Sequence, residues 1–206
     1  MSLFAERGYA GTTMTAIATA ASVSPGLLYR YFAGKQAVVG ELYRRSSHAY
    51  HQEFAVQDGL STGTWAERTV QAVRGSLAVL GPHRTVLQGV LPQLLTDREA
   101  GLLSPASATA RAQVFAVYQL AIAEARDAPS APLDRTLAKL GYLLQLGVLL
   151  FWVLERSEEQ RATEELLELL ATVLPTVSLG LWLPGIPALL ERFADLSDAL
   201  MEPPLP

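Results

Sequence analysis

Two helix starts crowd into one short stretch, Thr12–Lys35 (TTMTAIATAASVSPGLLYRYFAGK), and they constrain the fold more than any other feature. Thr13 is a good N-cap, because its hydroxyl can accept a hydrogen bond from an early helix N–H. The run that follows, MTAIATAA, puts Met14, Ile17 and Ala21 on one face. After a break at Ser22-Val23, Ser24 caps a second short helix. Pro25 takes its first helical position, where the missing N–H costs nothing. Leu28 and Phe32 can anchor this helix to the first. Gly26, Leu27, Tyr29, Arg30 and Tyr31 are then left to point elsewhere.

Two short helices about a three-residue turn form the helix-turn-helix used to bind DNA. The second helix start offers free N–H groups and a positive dipole end to a phosphate, and Gly26 lets the backbone come close. Tyr29 can donate its hydroxyl to a phosphate, and Lys35 can reach one from the start of the next helix. Arg30 is the candidate for a bidentate guanine contact, and Leu27 for a thymine methyl. The competing reading is a structural helical hairpin with its aromatics in a core. Against it, the polar residues that phosphate contact needs coincide with both helix starts.

The net charge of −4 weighs against nucleic acid only if read as one number. Residues 1–54 hold five basic groups (Arg7, Arg30, Lys35, Arg44, Arg45) against Glu6, Glu41 and Glu53, a net +2. The remaining chain holds 11 basic and 17 acidic residues. A basic head on an acidic body suggests an anionic partner for the head. There is no cysteine, hence no disulfide or thiol chemistry, in keeping with a cytoplasmic protein. No signal-peptide pattern opens the sequence.

Helical periodicity continues to the C-terminus with no convincing strand run, so an all-α fold is expected. The stretch Asp58–Thr64 (DGLSTGT) is the expected seam between a head of residues 1–56 and a body of residues 57–206 with five or six helices. Leu133–Arg156 is apolar nearly all round between Leu140 and Leu154, as in a helix buried on more than one side. Glu164–Leu174 follows with a narrower leucine face. Two such helices, paired with their symmetry mates, would make a four-helix dimer interface. Pro187–Met201 reads as an amphipathic helix with Leu189, Leu190, Phe193, Leu196 and Leu200 on one face. With Leu181-Trp182-Leu183, it could cover the body or extend the dimer contact.

No membrane span is expected. Leu140–Leu154 is shorter than the ~20 residues a spanning helix needs. In Leu169–Leu190, Pro175, Pro184 and Pro187, with Gly180 and Gly185, would break a helix in lipid.

The phrases ERGYAGTTM, IATAASVSPGLLYRYF and GK, all between Phe4 and Leu42, resemble the tetracycline-repressor (TetR) family of regulators. The resemblance implies that Thr13, Ser24, Gly26, Tyr29 and Lys35 contact the DNA backbone, and it assigns Pro25, Leu27, Arg30 and Tyr31 to the groove-facing surface. It further implies a homodimer through the C-terminal helices and a hinge between head and body that moves when a small molecule binds. Two departures stand out. Met1 lies close before Phe4, so contacts from a basic arm are not expected from this sequence. Ser22 stands where a glycine commonly takes the left-handed conformation, at a cost of ~1–2 kcal/mol.

An effector cavity is expected from the same resemblance. Trp65, Leu87, Leu91, Phe115, Tyr118, Tyr142, Leu146, Phe151 and Trp152 are the aromatic and bulky residues that could line it, although such residues usually form plain core. Few charged groups are at hand, so the effector is expected to be uncharged and apolar. His48 and His51 could share a metal, but lack the third ligand a catalytic zinc requires; a solvated or DNA-adjacent helix face is the simpler reading. No nucleophile elbow, P-loop or dinucleotide fingerprint is present, so neither enzyme nor cofactor is expected. The leading expectation is a ligand-responsive repressor released from a palindromic operator. The alternatives are a small-molecule carrier or sensor that has lost DNA binding, and an interaction protein using its apolar C-terminal helices.

Overall fold

The computed structural model describes residues 2–56, 62–99, 101–181, 183–201 and 203–205, and among these every regular element is helical. The head holds α1 (Ser2–Gly11), α2 (Met14–Ala20) and α3 (Pro25–Tyr31), followed by the long α4 (Lys35–Val56). α2 and α3 begin where the capping chemistry demands. Thr13 Oγ1 accepts from the Ala16 N–H at 3.1 Å, and Ser24 Oγ accepts from the Leu27 N–H at 3.2 Å. Ser22, in the turn between them, adopts φ 56°, the left-handed conformation a glycine would take freely.

The first face is filled differently from expectation. Met14 and Ala18 of α2 pack with Leu28 of α3, while Ala21 is exposed. Ala21 already lies in the cap, past the last helical turn, whereas Ala18 continues the Met14 side of the helix.

The body comprises α5 (Trp65–Leu80), α6 (Arg84–Thr96), α7 (Ala108–Ala123), α8 (Leu133–Leu154), α9 (Arg161–Gly180) and α10 (Ile186–Ser197). Of the expected seam, residues 58–61 lie outside the described residues. Its last residue, Thr64, starts α5 with a capping box: the Glu67 N–H donates to Thr64 Oγ1, and the Thr64 N–H donates to the Glu67 carboxylate.

Packing crosses that seam in two places. Tyr50 and Phe54 of α4 join the main core with Trp65, Phe115, Tyr118, Leu137 and Leu167. Phe4 of α1 and Val39 of α4 join a second cluster with Val86, Val90 and Leu91 of α6 and Leu149, Trp152 and Val153 of α8. Thus α4 runs from the helix-turn-helix into the middle of the body. The buried Arg68 donates to the carbonyls of Leu120 and Ala121, where α7 ends, and so places a cation at the negative end of that helix.

Pro175 does not break the segment that contains it. α9 continues across it to Gly180, because Leu166, Leu167, Leu170, Leu174 and Leu181 pack on the main core on both sides of it. That burial outweighs the ~3 kcal/mol a mid-helix proline costs. The helical run ends instead before α10, where Gly185 takes φ 88°.

Candidate nucleic-acid interface and apolar cavity

With Leu28 fixed inward, the remainder of α3 turns outward. Leu27, Tyr29 (54% exposed) and Tyr31 (74% exposed) are bulky apolar or aromatic groups left exposed on the surface. Thr13, Ser24, Pro25, Gly26 and Arg30 are exposed beside them. At Gly26 an added Cβ would meet nothing within 4 Å. The chain's own packing therefore does not demand glycine there.

Lys35 is placed differently from the others. Its Nζ donates to the Tyr9 carbonyl at 2.6 Å and lies 4.5 Å from the centroid of the Tyr9 ring, so the start of α4 is held against α1. On α4, Glu41 accepts from Arg44 at 2.7 Å and from Arg45 at 2.6 Å. Those two guanidinium groups, Arg44 first, lower the Glu41 carboxyl to about 2. They also draw two of the head's cations into local pairs. His48 Nδ1 lies 3.3 Å from Gln113 Nε2, a contact between α4 and α7.

The model of a family described as bacterial regulatory proteins, tetR family, matches residues 1–42, which span α1 to α3 and the start of α4. The HTH-type transcriptional regulator HbdR of Aromatoleum sp. (strain CIB) is 37% identical over 83 residues, which are 40% of this chain. The match spans 35% of that relative's length. The head, residues 1–42, is a TetR-family domain.

Behind this TetR-family head lies an apolar cavity walled by α4, α5, α6, α7 and α8. About 670 Å³ between the walls is free of atoms, mouth included, but only about 40 Å³ is open to the centre of a water molecule. It is a slot with close walls. Of the residues expected to line it, Leu87, Leu91, Tyr142 and Leu146 do so. Trp65, Phe115, Tyr118, Phe151 and Trp152 do not line it.

Each of those five has another place. The Trp65 indole donates to Ser178 Oγ at 3.2 Å, and Phe115 is main core. Tyr118 stands behind the wall and donates to Gln145 Oε1 at 2.6 Å. Trp152 donates to Gln160 Oε1 and carries the Arg84 guanidinium over its ring. Phe151 is 41% exposed on the outer side of α8.

Sequence reasoning missed the α4 wall: Val39, Leu42, Tyr43, Ser46, Ser47 and Tyr50. The signal was there, since Val39, Tyr43, Ser46 and Tyr50 recur at helical spacing. Three serines and three tyrosines line the slot, and among the described residues no lysine, arginine, aspartate or glutamate lines it.

A second feature lies on the outside of the body. Leu150, Phe151 and Leu154 of α8, and Leu169, Val173 and Val177 of α9, are exposed apolar residues at helical spacing. The stripe of α10, with Leu189, Phe193 and Leu196, is exposed as well, and Leu200 just past its end continues it. That helix turns Ala194 and Ser197 inward, and the Lys139–Asp198 ion pair (2.8 Å) lies just past its end. The apolar stripe of α10 therefore does not cover the body of its own chain. Trp182, grouped with it in the sequence reading, lies outside the described residues.

Proposed function

We propose that this protein is a ligand-responsive transcriptional regulator whose head, residues 1–56, binds DNA and whose body, residues 57–206, dimerises and binds an effector. The observation that carries the reading is the surface of α3. Leu27, Tyr29, Arg30 and Tyr31 are held outward by the Leu28 anchor and stand exposed on one surface. In the major groove, Arg30 is positioned for guanine and Leu27 for a thymine methyl. Thr13, Ser24, Gly26, Tyr29 and Lys35 then meet phosphates, with Pro25 and Tyr31 against the groove, and Lys35 must leave Tyr9 to do so.

Two heads are needed to read half-sites one DNA turn apart. The exposed apolar residues of α8 and α9 supply a self-complementary face for a second copy, in which four helices pack together. α8 is long and apolar enough to cross a membrane, but half of its apolar window is buried inside the chain. A soluble cytoplasmic dimer accounts for the other half.

The slot is the effector site, and α4 links it to DNA. Val39, Tyr43 and Ser47 wall the slot, and the same helix begins directly after the helix-turn-helix. A small apolar molecule that spreads the walls shifts α4 and alters the separation of the heads, releasing a repressor from its operator. By linkage, DNA weakens effector binding by the same factor.

Selection of bound duplexes from a random pool tests the reading. Recovery of an inverted repeat bound by a dimer is expected. A purified protein that enriches no duplex at low salt, yet binds apolar compounds, would be a carrier instead.

A further inference from the structure

Three of the polar groups in the slot wall are satisfied within the chain. Tyr50 donates to the Ala72 carbonyl at 2.8 Å, Ser76 donates to the Val73 carbonyl at 2.8 Å, and Gln145 accepts from Tyr118. Two are not. Ser47 Oγ on α4 and Tyr142 Oη on α8 are buried without a hydrogen-bond partner. Tyr43, one turn before Ser47, lies near enough for its hydroxyl to feel both, but neither approach has the length and direction of a hydrogen bond. Orphaned buried hydroxyls are rare in folded proteins, and each one asks for a reason.

The surroundings say what would complete them. Burial pushes the Tyr142 hydroxyl well above the ordinary tyrosine range, so it keeps its proton and can donate. The buried Arg111, held by the carbonyls of Leu102, Ser104 and Pro203, adds positive potential at Tyr43 and Tyr142 and favours an electron-rich partner there. A carboxylate would shed its hydration for neutral donors alone, because no cation lines the slot among the described residues. One carbonyl oxygen has two lone pairs and can accept from both hydroxyls at once.

We propose that Ser47 and Tyr142 form the polar end of the effector site, and that they take the uncharged carbonyl oxygen of a flat apolar ketone or ester. This deepens the reading of the slot as an effector site and rests on it. The bound carbonyl bridges α4 to α8, so the contact that recognises the ligand is also one that ties the helix behind the DNA-binding head to the body.

The test uses the full chain and three probes of one shape: acetophenone, ethylbenzene and benzoate, with dissociation constants from ligand-observed NMR. Two neutral hydrogen bonds predict that acetophenone binds about tenfold or more tightly than ethylbenzene, with benzoate weaker than acetophenone. Tyr142→Phe and Ser47→Ala should each lower acetophenone affinity toward that of ethylbenzene and leave ethylbenzene within about twofold, the spread expected for a contact neither hydroxyl makes. Equal affinity for acetophenone and ethylbenzene, or an advantage that survives both substitutions, overturns the polar end while leaving the slot an effector site. Failure of all three probes to bind would remove the effector site itself. The wild-type comparison decides the question even if one variant folds poorly.

Discussion

Gly141 on α8 should not tolerate even a methyl group. A Cβ at this position would lie 2.6 Å from Cδ1 of Tyr118, 3.2 Å from Cε1 and 3.3 Å from Cγ. Carbon atoms in contact sit ~3.5–4.0 Å apart, so the ring or the helix must move by about 1 Å. The ring has nowhere to go: Tyr118 is fully buried, and its hydroxyl is tied to Gln145, one turn further along α8. Overpacking of this kind costs ~1–3 kcal/mol, and losing the Tyr118–Gln145 bond adds ~1 kcal/mol. Alanine is favoured over glycine within a helix by only ~1 kcal/mol.

Gly141→Ala should therefore destabilise the protein by about 1–3 kcal/mol on balance. Gly40→Ala on α4 is the control. Its Cβ meets nothing within 4 Å, so the same substitution should stabilise by up to ~1 kcal/mol. Urea unfolding followed by far-ultraviolet circular dichroism, at one fixed protomer concentration, measures both. If Gly141→Ala proves no less stable than the wild type, the α7–α8 packing described above is wrong.

Three further outcomes are expected. Ser22→Gly, which relieves the left-handed φ, should raise stability by about 1 kcal/mol in the same unfolding assay, and a loss would show that the turn needs the serine. Leu169→Lys, at an outward position on α9, should convert dimer to helical monomer in sedimentation velocity; an unchanged dimer at micromolar concentration would place the interface elsewhere. The Glu41 carboxyl, depressed from its ordinary 4.5 to about 2 by Arg44 and Arg45, contributes stability present above pH 4.5 and lost as the pH falls toward 2. Carboxyl NMR should put its midpoint at about 2, and Arg44→Ala should move that midpoint up; a wild-type midpoint near 4.5 would refute the pairing.

The helix-turn-helix was legible because its signals are local. A cap, a proline at the first turn and an anchor four residues on act through neighbours in the chain. The left-handed conformation of Ser22 was expected from the family resemblance, in which a glycine commonly stands there. The cavity was only half legible. Leu87, Leu91, Tyr142 and Leu146 were expected, whereas Phe115 and Trp152 were equally bulky and lie in the cores. Periodicity tells that a residue faces inward, not whether the inward side holds a slot or a neighbour. Lys35 shows the same limit, since its bond to Tyr9 joins elements that only the packing of α1 brings together. The outward stripe of α10 was read correctly as amphipathic, but which side meets the body depends on the small Ala194 and Ser197.

The central claim is that α3 reads DNA, and salt dependence of binding tests it most directly. Affinity for a selected inverted-repeat duplex and for a scrambled one should be measured across a salt series, for the wild type and for Tyr29→Ala. The account predicts tight wild-type binding to the repeat that weakens steeply as salt rises, with Tyr29→Ala losing most of its preference over the scrambled duplex. Equal binding of both duplexes by the wild type, flat across the salt series, would contradict it.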